Sequence, residues 1–361
     1  MALLKTYLRI VVFAALAALL FSCGEKEETL PAYTPKQRTG EPYFQQRGLL
    51  LAWDDVKTKQ YVDWLNIARK YGFNMFSIAG QNQASSEWKE FRSQCEAAGI
   101  AIQFQEHMAF HLMPRSYFAT HPEYFRMDAN GNRVKDKNLC PSSEEGMRIV
   151  YQNAIKIASN YQPTDGKYYF WLDDGGDKCH CPDCEQYSHS EQALMIENTV
   201  IKALRESDPN AQLAHLAYAE TTDAPDPKKV KPEEGIFLQF APFYRNWEKP
   251  LSERSAVGKM GWTNGKYLDA LKANLKVFPA ETAQVLEYWL DESYASGWDK
   301  NNLVKIAWDR AVVAYDLKTY ASYGIKNIDC YAYWINDAYY LKFRDIKCVT
   351  EYGKDVYNFT K

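Results

Sequence analysis

An excess of positive charge is the first thing this sequence lacks. Its 43 Lys and Arg stand against 46 Asp and Glu, a formal charge of -3. That balance gives no reason to expect nucleic acid as a partner. No glycine-rich phosphate loop follows the first strand-like run, which argues against a doubly wound dinucleotide fold. No lysine falls at a strand tip to form a Schiff base, and serine and cysteine nucleophile signatures are missing. There is no short-period repeat and no second domain. The apolar run Ile10–Phe21 is too short and wrongly flanked for a membrane span.

What the chain has in quantity is aromatic surface: 15% Phe, Trp and Tyr, with 26 Tyr and 10 Trp. Such residues fill cores, and they also offer flat apolar faces with a polar handle for stacking on sugar rings.

The first segment reads as a leader. Basic Lys5 and Arg9 precede the apolar run, which closes on Leu20-Phe21-Ser22-Cys23. This resembles a bacterial lipoprotein cleavage box, with residues 1–22 as signal peptide and Cys23 lipidated; an ordinary signal peptide is the alternative. Several acyl chains on Cys23 would hold the protein on a membrane, since one chain is marginal and two suffice. The acidic run Glu25-Lys26-Glu27-Glu28 resembles signals that send lipoproteins to the cell surface. The expected location is the outer membrane, on its periplasmic or outer side. Without residues 1–22 the formal charge goes from -3 to -5. Residues 23–45 are polar and carry Pro31, Pro35, Gly40 and Pro42, which reads as a tether.

From residue 46 to 361 strand and helix patterns alternate. The expected strands are Leu49–Trp53, Asn74–Ala79, Ile100–Phe104, Tyr168–Asp173, Leu213–Ala219, Ile236–Phe240, Gln284–Trp289 and Asn327–Trp334. Helical spacing covers residues 57–71, 86–98, 143–160, 190–207, 266–277 and 304–323, with a last helix from about Tyr340 to before Gly353. Eight such units fit an α/β chain folded as a (β/α)8 TIM barrel, single domain.

In such barrels chemistry sits at the C-terminal strand ends. There the sequence puts Asp54, Asp55, Gln81, Asn82, Glu106, His107, Asp173, Asp174, Tyr218, Glu220, Tyr244, Arg245, Glu287, Tyr288, Tyr333, Trp334 and Asp337. The ring is acidic and aromatic. Carboxylates beside aromatic platforms are what glycosidic bond cleavage uses: one carboxyl protonates the leaving oxygen, and another stabilises or attacks the sugar carbon. Asp54 and Asp55 read as helix caps. Asp174 is the expected acid, with Asp173 as its supporting or substrate-orienting partner. Glu287 is the expected second carboxylate, and Glu220 follows it. His107 is a candidate for bonding a hydroxyl, and Trp53, Tyr218, Tyr244, Tyr288 and Trp334 are candidates for contacting the substrate. Each has a structural alternative as cap, ion pair or core.

Cys140 and the run Cys179-His180-Cys181-Pro182-Asp183-Cys184 fall on adjacent strand-end loops. Four thiolates there suit a tetrahedral structural zinc, with His180 as a possible substitute ligand; two disulfides are the competing reading. Cys95 reads as buried, and Cys330 and Cys348 are near enough to pair. No cofactor is expected for catalysis itself.

The strings HPEYF, NGNR, NLCPSSE, LDDGGDKCHCPDC, AYAET, FAPFYR and LEYW together resemble a family of bacterial exported proteins. That family is catalogued as a domain of unknown function and grouped with TIM-barrel glycoside hydrolases. The resemblance spans about residues 47–345, and it extends to family-67 α-glucuronidases and family-20 hexosaminidases. In family-20 enzymes an Asp-Glu pair follows the fourth strand, the Asp orienting the substrate and the Glu acting as acid. Asp173-Asp174 stands at the matching place, with a carboxyl one methylene shorter at the second position. The resemblance implies a lipid-anchored glycoside hydrolase acting on an oligo- or polysaccharide. A lipoprotein that binds glycan on a degenerate barrel is the rival reading, and a hydrolase with a catalytic zinc is a third.

Overall fold

The computed structural model describes residues 40–361. The leader, Cys23 and most of the tether lie outside them. Nine parallel strands form the sheet: β1 (Gln46–Ala52), β2 (Met75–Ala79), β3 (Ala101–Gln103), β4 (Gln105–His107), β5 (Lys167–Trp171), β6 (Gln212–Ala217), β7 (Ile236–Phe240), β8 (Gln284–Glu287) and β9 (Asn327–Tyr331). Their order is β3-β2-β1-β9-β8-β7-β6-β5-β4. Phe104 alone separates β3 from β4, so the two ends of the order are one run of chain and the barrel all but closes. β1 is paired on both sides, Leu49 facing Phe76 on β2 and Cys330 on β9.

Strand alternation divides the apolar residues into two cores. Leu49, Leu51, Ile78, Ile102, Phe170, Leu238, Val285 and Ile328 point outward and pack under the helices. Leu50, Tyr169, Trp171, Phe237, Leu286 and Tyr288 point inward, a smaller cluster toward the mouth. The floor of the barrel is filled by amides instead of branched aliphatics. Asp329 accepts from Gln46 at 2.8 Å, from Gln105 at 2.7 Å and from Gln284, while Gln239 donates to Gln105 at 2.7 Å. Above this layer Trp171 donates its indole N–H to Gln239 at 2.8 Å. Burial pushes the Asp329 carboxyl up to about 7, against the amide donors that hold it down.

The helices are α1 (Trp53–Lys57), α2 (Trp64–Tyr71), α3 (Ser86–Ala97), α4 (Ala109–Leu112), α5 (Glu144–Asn160), α6 (His189–Leu204), α7 (Asn264–Asn274), α8 (Glu292–Ala295), α9 (Arg310–Ser322), α10 (Asp337–Phe343) and α11 (Lys347–Asn358). Among the described residues none is long and apolar enough to cross a membrane. Three helices differ from the sequence expectation, each for a local reason. The stretch 57–71 breaks because the Asp337 carboxylate binds the backbone N–H groups of Gln60, Tyr61 and Val62 at 2.8–3.0 Å. Residues 304–309 run along the rim without helix, since Asp309 caps α9 by accepting from Ala311 and Val312. The last helix continues through Gly353, where a Cβ would meet the Tyr71 carbonyl at 2.7 Å and the Phe73 ring at 2.9 Å. Glycine there serves close helix packing and does not stop the helix.

Candidate active site and cysteine clamp

The loop after β5 turns through Gly175 at φ +63, and Gly176 meets Asn138 so closely that a Cβ would lie 2.3 Å from its amide nitrogen. This turn sends the two neighbouring aspartates in opposite directions. Asp174 faces a cavity of about 260 Å³ at the barrel mouth. Its carboxylate lies beside the Tyr218 hydroxyl, whose pKa is raised by burial first and then by the Asp174 charge. Asp173 faces the long loop before α5, accepting from Arg115 and from the Asn138 N–H at 2.6 Å; its own N–H binds the Asn138 side chain at 3.0 Å. Asp173 therefore ties two loops together and is not presented to the mouth.

Glu287 is also withdrawn. On β8 it alternates outward with Val285, is fully buried, and pairs with Arg245 at 3.2 Å and with the Tyr320 hydroxyl. Arg245 in turn binds Asp316 on α9 at 2.5 Å. This buried ion network fastens the β7 loop to the helix layer, and it corrects the expectation that Glu287 is a mouth carboxylate. The expectation assumed a strand running to Trp289. β8 stops at Glu287, and the chain then turns so that Asp291, four residues on, faces the cavity instead.

Asp291 is the carboxylate that sequence reasoning passed over. It is 4% exposed, caps α8 by accepting from the Tyr294 N–H at 3.0 Å, and accepts from the Ser293 hydroxyl at 2.6 Å. Burial pushes its carboxyl up to about 6. Its signal in the sequence was an acid just beyond an apolar strand, at the start of a short helix. The same signal marks ordinary caps.

The cavity walls are aromatic: Trp171, Tyr218, Phe243, Tyr244, Tyr288, Tyr331 and Trp298, with His107 and Lys137 as polar members. Tyr218, Tyr244, Tyr288 and His107 thus lie where they were expected. The His107 ring sits edge-on to Trp171 at 5.3 Å, with its Nδ1 against the Leu172 carbonyl. Lys137 donates to the Asp174 backbone carbonyl. Trp298 was not anticipated; it stands on the rim, 59% exposed, on a left-handed backbone at φ +66. A bulky residue held there marks strain, which proteins keep mainly at ligand clamps and switches.

Besides Asp173 and Glu287, three more candidates fall outside this cavity. Trp53 packs edge-on against Trp88 at 5.5 Å and joins the helix-layer core. Trp334, at φ +69, donates its backbone N–H to Asp55 at 2.8 Å. Asp55 holds the β9 loop through this contact and through Asn336 at 2.6 Å, so its role is structural. Glu220 lies exposed on the turn after β6, and its charge contributes to raising the Tyr218 and Tyr244 hydroxyls.

The cysteines converge as the loop adjacency requires. Cys140, Cys179, Cys181 and Cys184 are buried, and their sulfurs all lie within 4.8 Å of one another. Cys140 is 3.7 Å from Cys181 and 3.9 Å from Cys184. A tetrahedral zinc with bonds of about 2.3 Å has sulfur–sulfur edges of about 3.8 Å, so four thiolates here fit that ion. All seven cysteines among the described residues are free thiols, including Cys330 and Cys348. Gln192 on α6 organises the knuckle, accepting from the Cys179 N–H at 2.8 Å and donating to the carbonyls of Cys179 and Cys184. The Met127 N–H points at the Cys179 sulfur at 3.3 Å, and the Arg133 guanidinium lies 3.8 Å from it. His180 is engaged elsewhere, with Asp177 and Glu185. Four protein sulfurs leave no open position, so the site would hold structure and not substrate.

A family model described as "Domain of unknown function (DUF4838)" matches residues 34–330. The chain belongs to that family. No curated protein sequence matches it. Among solved structures it is similar to a β-galactosidase from the psychrophilic Marinomonas ef1, at 12% identity and TM-score 0.52, covering 80% of this chain. It spans only 54% of that enzyme's length. A chitinase from Rhizomucor miehei aligns at 14% identity and TM-score 0.48, over 86% of this chain and 100% of that one. The catalytic domain of a β-amylase from Paenibacillus polymyxa aligns at 9% identity and TM-score 0.43, over 81% and 93%. At 12% identity the likeness to the Marinomonas structure shows the fold alone.

Proposed function

From two carboxyl groups facing one aromatic cavity, we propose that this protein is a glycoside hydrolase with Asp174 and Asp291 as its working pair. The observation that carries the reading is Asp291, buried on the cavity that Asp174 also lines and pushed up to about 6. A carboxyl in that range keeps its proton in mildly acid solution, where an ordinary aspartate is ionised, and is suited to protonate a leaving group. Asp174 is then the base or nucleophile. Asp174 was the acid expected from the sequence; the burial of Asp291 supports giving that role to Asp291 instead. In the net reaction the C–O bond at the anomeric carbon breaks and its oxygen takes the Asp291 proton. Water supplies the new hydroxyl, and the proton that water gives up returns through the carboxylates. Tyr218, Tyr244 and Tyr288 supply stacking faces and hydroxyls for the sugar.

Leaving-group dependence tests the two roles separately. With 4-nitrophenyl glycosides, Asp291→Asn loses about 10²–10⁴-fold in kcat. With 2,4-dinitrophenyl glycosides, which need little protonation, it loses far less. Asp174→Asn loses rate on both. Turnover by Asp291→Asn equal to wild type on the poorer leaving group would remove the acid assignment. Binding without product by the unsubstituted protein would favour the binding-only barrel.

A structural zinc at Cys140, Cys179, Cys181 and Cys184 belongs to the same proposal, supported by the sulfur spacing. It would fasten the Asp173–Gly176 turn to the loop before α5. Metal analysis of protein purified without chelator should give one zinc per chain; metal-free protein with titratable or oxidised thiols would count against it. Cys23 as a lipid anchor to the outer membrane completes the reading. Cys23→Ser should abolish fatty-acid labelling and release the protein from membranes.

A further inference from the structure

Beside the mouth lies a second cavity, of about 480 Å³, between the β7 and β8 loops and the rim segment 304–309. It is within the size range of ligand pockets, about 300–1,000 Å³. Five aromatic residues wall it: Trp247, Tyr288, Trp289, Tyr294 and Trp308. The two cavities share Tyr288 and Asp291. Asp291 therefore stands at their junction, with Asp174 on the mouth side only.

We propose that this second cavity is the leaving-group subsite, and that it takes one or more neutral sugar units of the same glycan chain. The inference rests on the proposed function. A general acid stands next to the oxygen that departs, so whatever is attached to that oxygen lies on the far side of Asp291 from Asp174. On that far side the structure has this cavity. Its chemistry suits a pyranose: aromatic faces for the apolar C–H side, and Lys259, Lys305, Glu248 and Asp309 for hydroxyls. The cavity holds both signs of charge, so it does not select for an anionic unit.

Two further features support a built site. The Trp247 indole N–H is buried with no hydrogen-bond partner among the described residues, which is costly unless a ligand oxygen answers it. Tyr294 is held in place by Lys259, whose ammonium lies 3.5 Å from the ring centroid. The rim itself is fixed, since the Val304 N–H binds Glu292 at 2.7 Å and the Ile306 N–H binds the Tyr339 hydroxyl at 2.9 Å. A fixed wall allows the cavity to contribute affinity without a closing step.

The consequence is chain-length dependence. The test binds the Asp174→Asn protein to an array of plant, microbial and animal glycans graded by length. The unsubstituted enzyme is then assayed on the matching oligosaccharides and 4-nitrophenyl monoglycosides. Expected is at least a tenfold gain in kcat/KM from the aryl monoglycoside to the trisaccharide. Trp247→Ala should lose at least tenfold more on the oligosaccharide than on the aryl glycoside. Hydrolysis with no gain in rate or binding beyond one sugar unit overturns the subsite and leaves the hydrolase reading standing. Neither binding nor hydrolysis of any glycan overturns both. The length series needs no substitution, so it holds even where Trp247→Ala folds poorly.

Discussion

At the scale of single residues, burial sorts the acids into two kinds. Asp291 keeps one face on a cavity, while Glu287 and Asp316 are closed in with Arg245. The first kind bears on the proposed reaction. Because that reaction needs Asp291 protonated and burial pushes its carboxyl up to about 6, kcat/KM should fall as pH rises through about 6. A pH–rate profile checks this, and Asp291→Asn should lose that limb together with the rate. The second kind acts on stability. Arg245→Met leaves two buried carboxylates without their cation and should cost about 3–5 kcal/mol in denaturant unfolding. Glu287→Gln keeps the cation paired through Asp316; it should lower stability less and leave turnover per folded molecule within a few-fold of wild type. Asp329 adds a pH term to stability. Its folded pKa, about 7, is raised above the unfolded value, so its stabilising share is full below about pH 4 and lost as pH rises through about 7. Asp329→Asn should flatten the decline of Tm between pH 5 and 8.

At the scale of elements, the strands were legible and several loops were not. Ile236–Phe240 was read with its own bounds, and the other barrel strands within a few residues, because buried parallel strands are short apolar runs between turn signals. Loops are decided by partners far away in sequence. Asp337 breaks the helix after β1 across more than 270 residues, and no local pattern announces that contact. The Glu287 reading failed on facing: Val285, Glu287 and Trp289 take the outward positions under the helices, while Leu286 and Tyr288 take the inward ones. Gln239 and Gln284 drew no notice inside their apolar strands, because the partners that satisfy them, Gln105, Asp329 and Trp171, lie on other strands. The cysteine clamp was legible for the opposite reason, since thiols at tight spacing have few structural uses. It also makes a prediction at this scale. With the proposed zinc bound, its removal by a chelator should expose the 108–143 and 172–189 segments to protease first, while the β1–β2 and β9 region stays protected. Uniform protection after metal loss would mean that the clamp holds nothing.

For the whole molecule, the barrel is a scaffold whose mouth and floor differ in kind. Its mouth is aromatic and acidic, with two carboxyl groups brought together from the ends of β5 and β8. Its fold was foreseeable from eight alternating units, and the order of the parallel strands bears that out. The pairing of Asp174 with Asp291 was not foreseeable, since it depends on where β8 ends and how Gly175 and Gly176 aim the preceding acids.

The amide-filled floor carries a thermal consequence. Unfolding wets Gln46, Gln103, Gln105, Gln239, Gln284 and Asp329 where most barrels would wet valine and isoleucine. Exposed polar surface lowers the heat capacity that apolar surface raises. Spread over the chain, six such side chains lower the unfolding heat-capacity change by on the order of 1 cal/mol/K per residue, against a usual value of about 12–15. Replacing Gln239 and Gln284 by aliphatic residues should raise the change seen by calorimetry, and with it the curvature of stability against temperature.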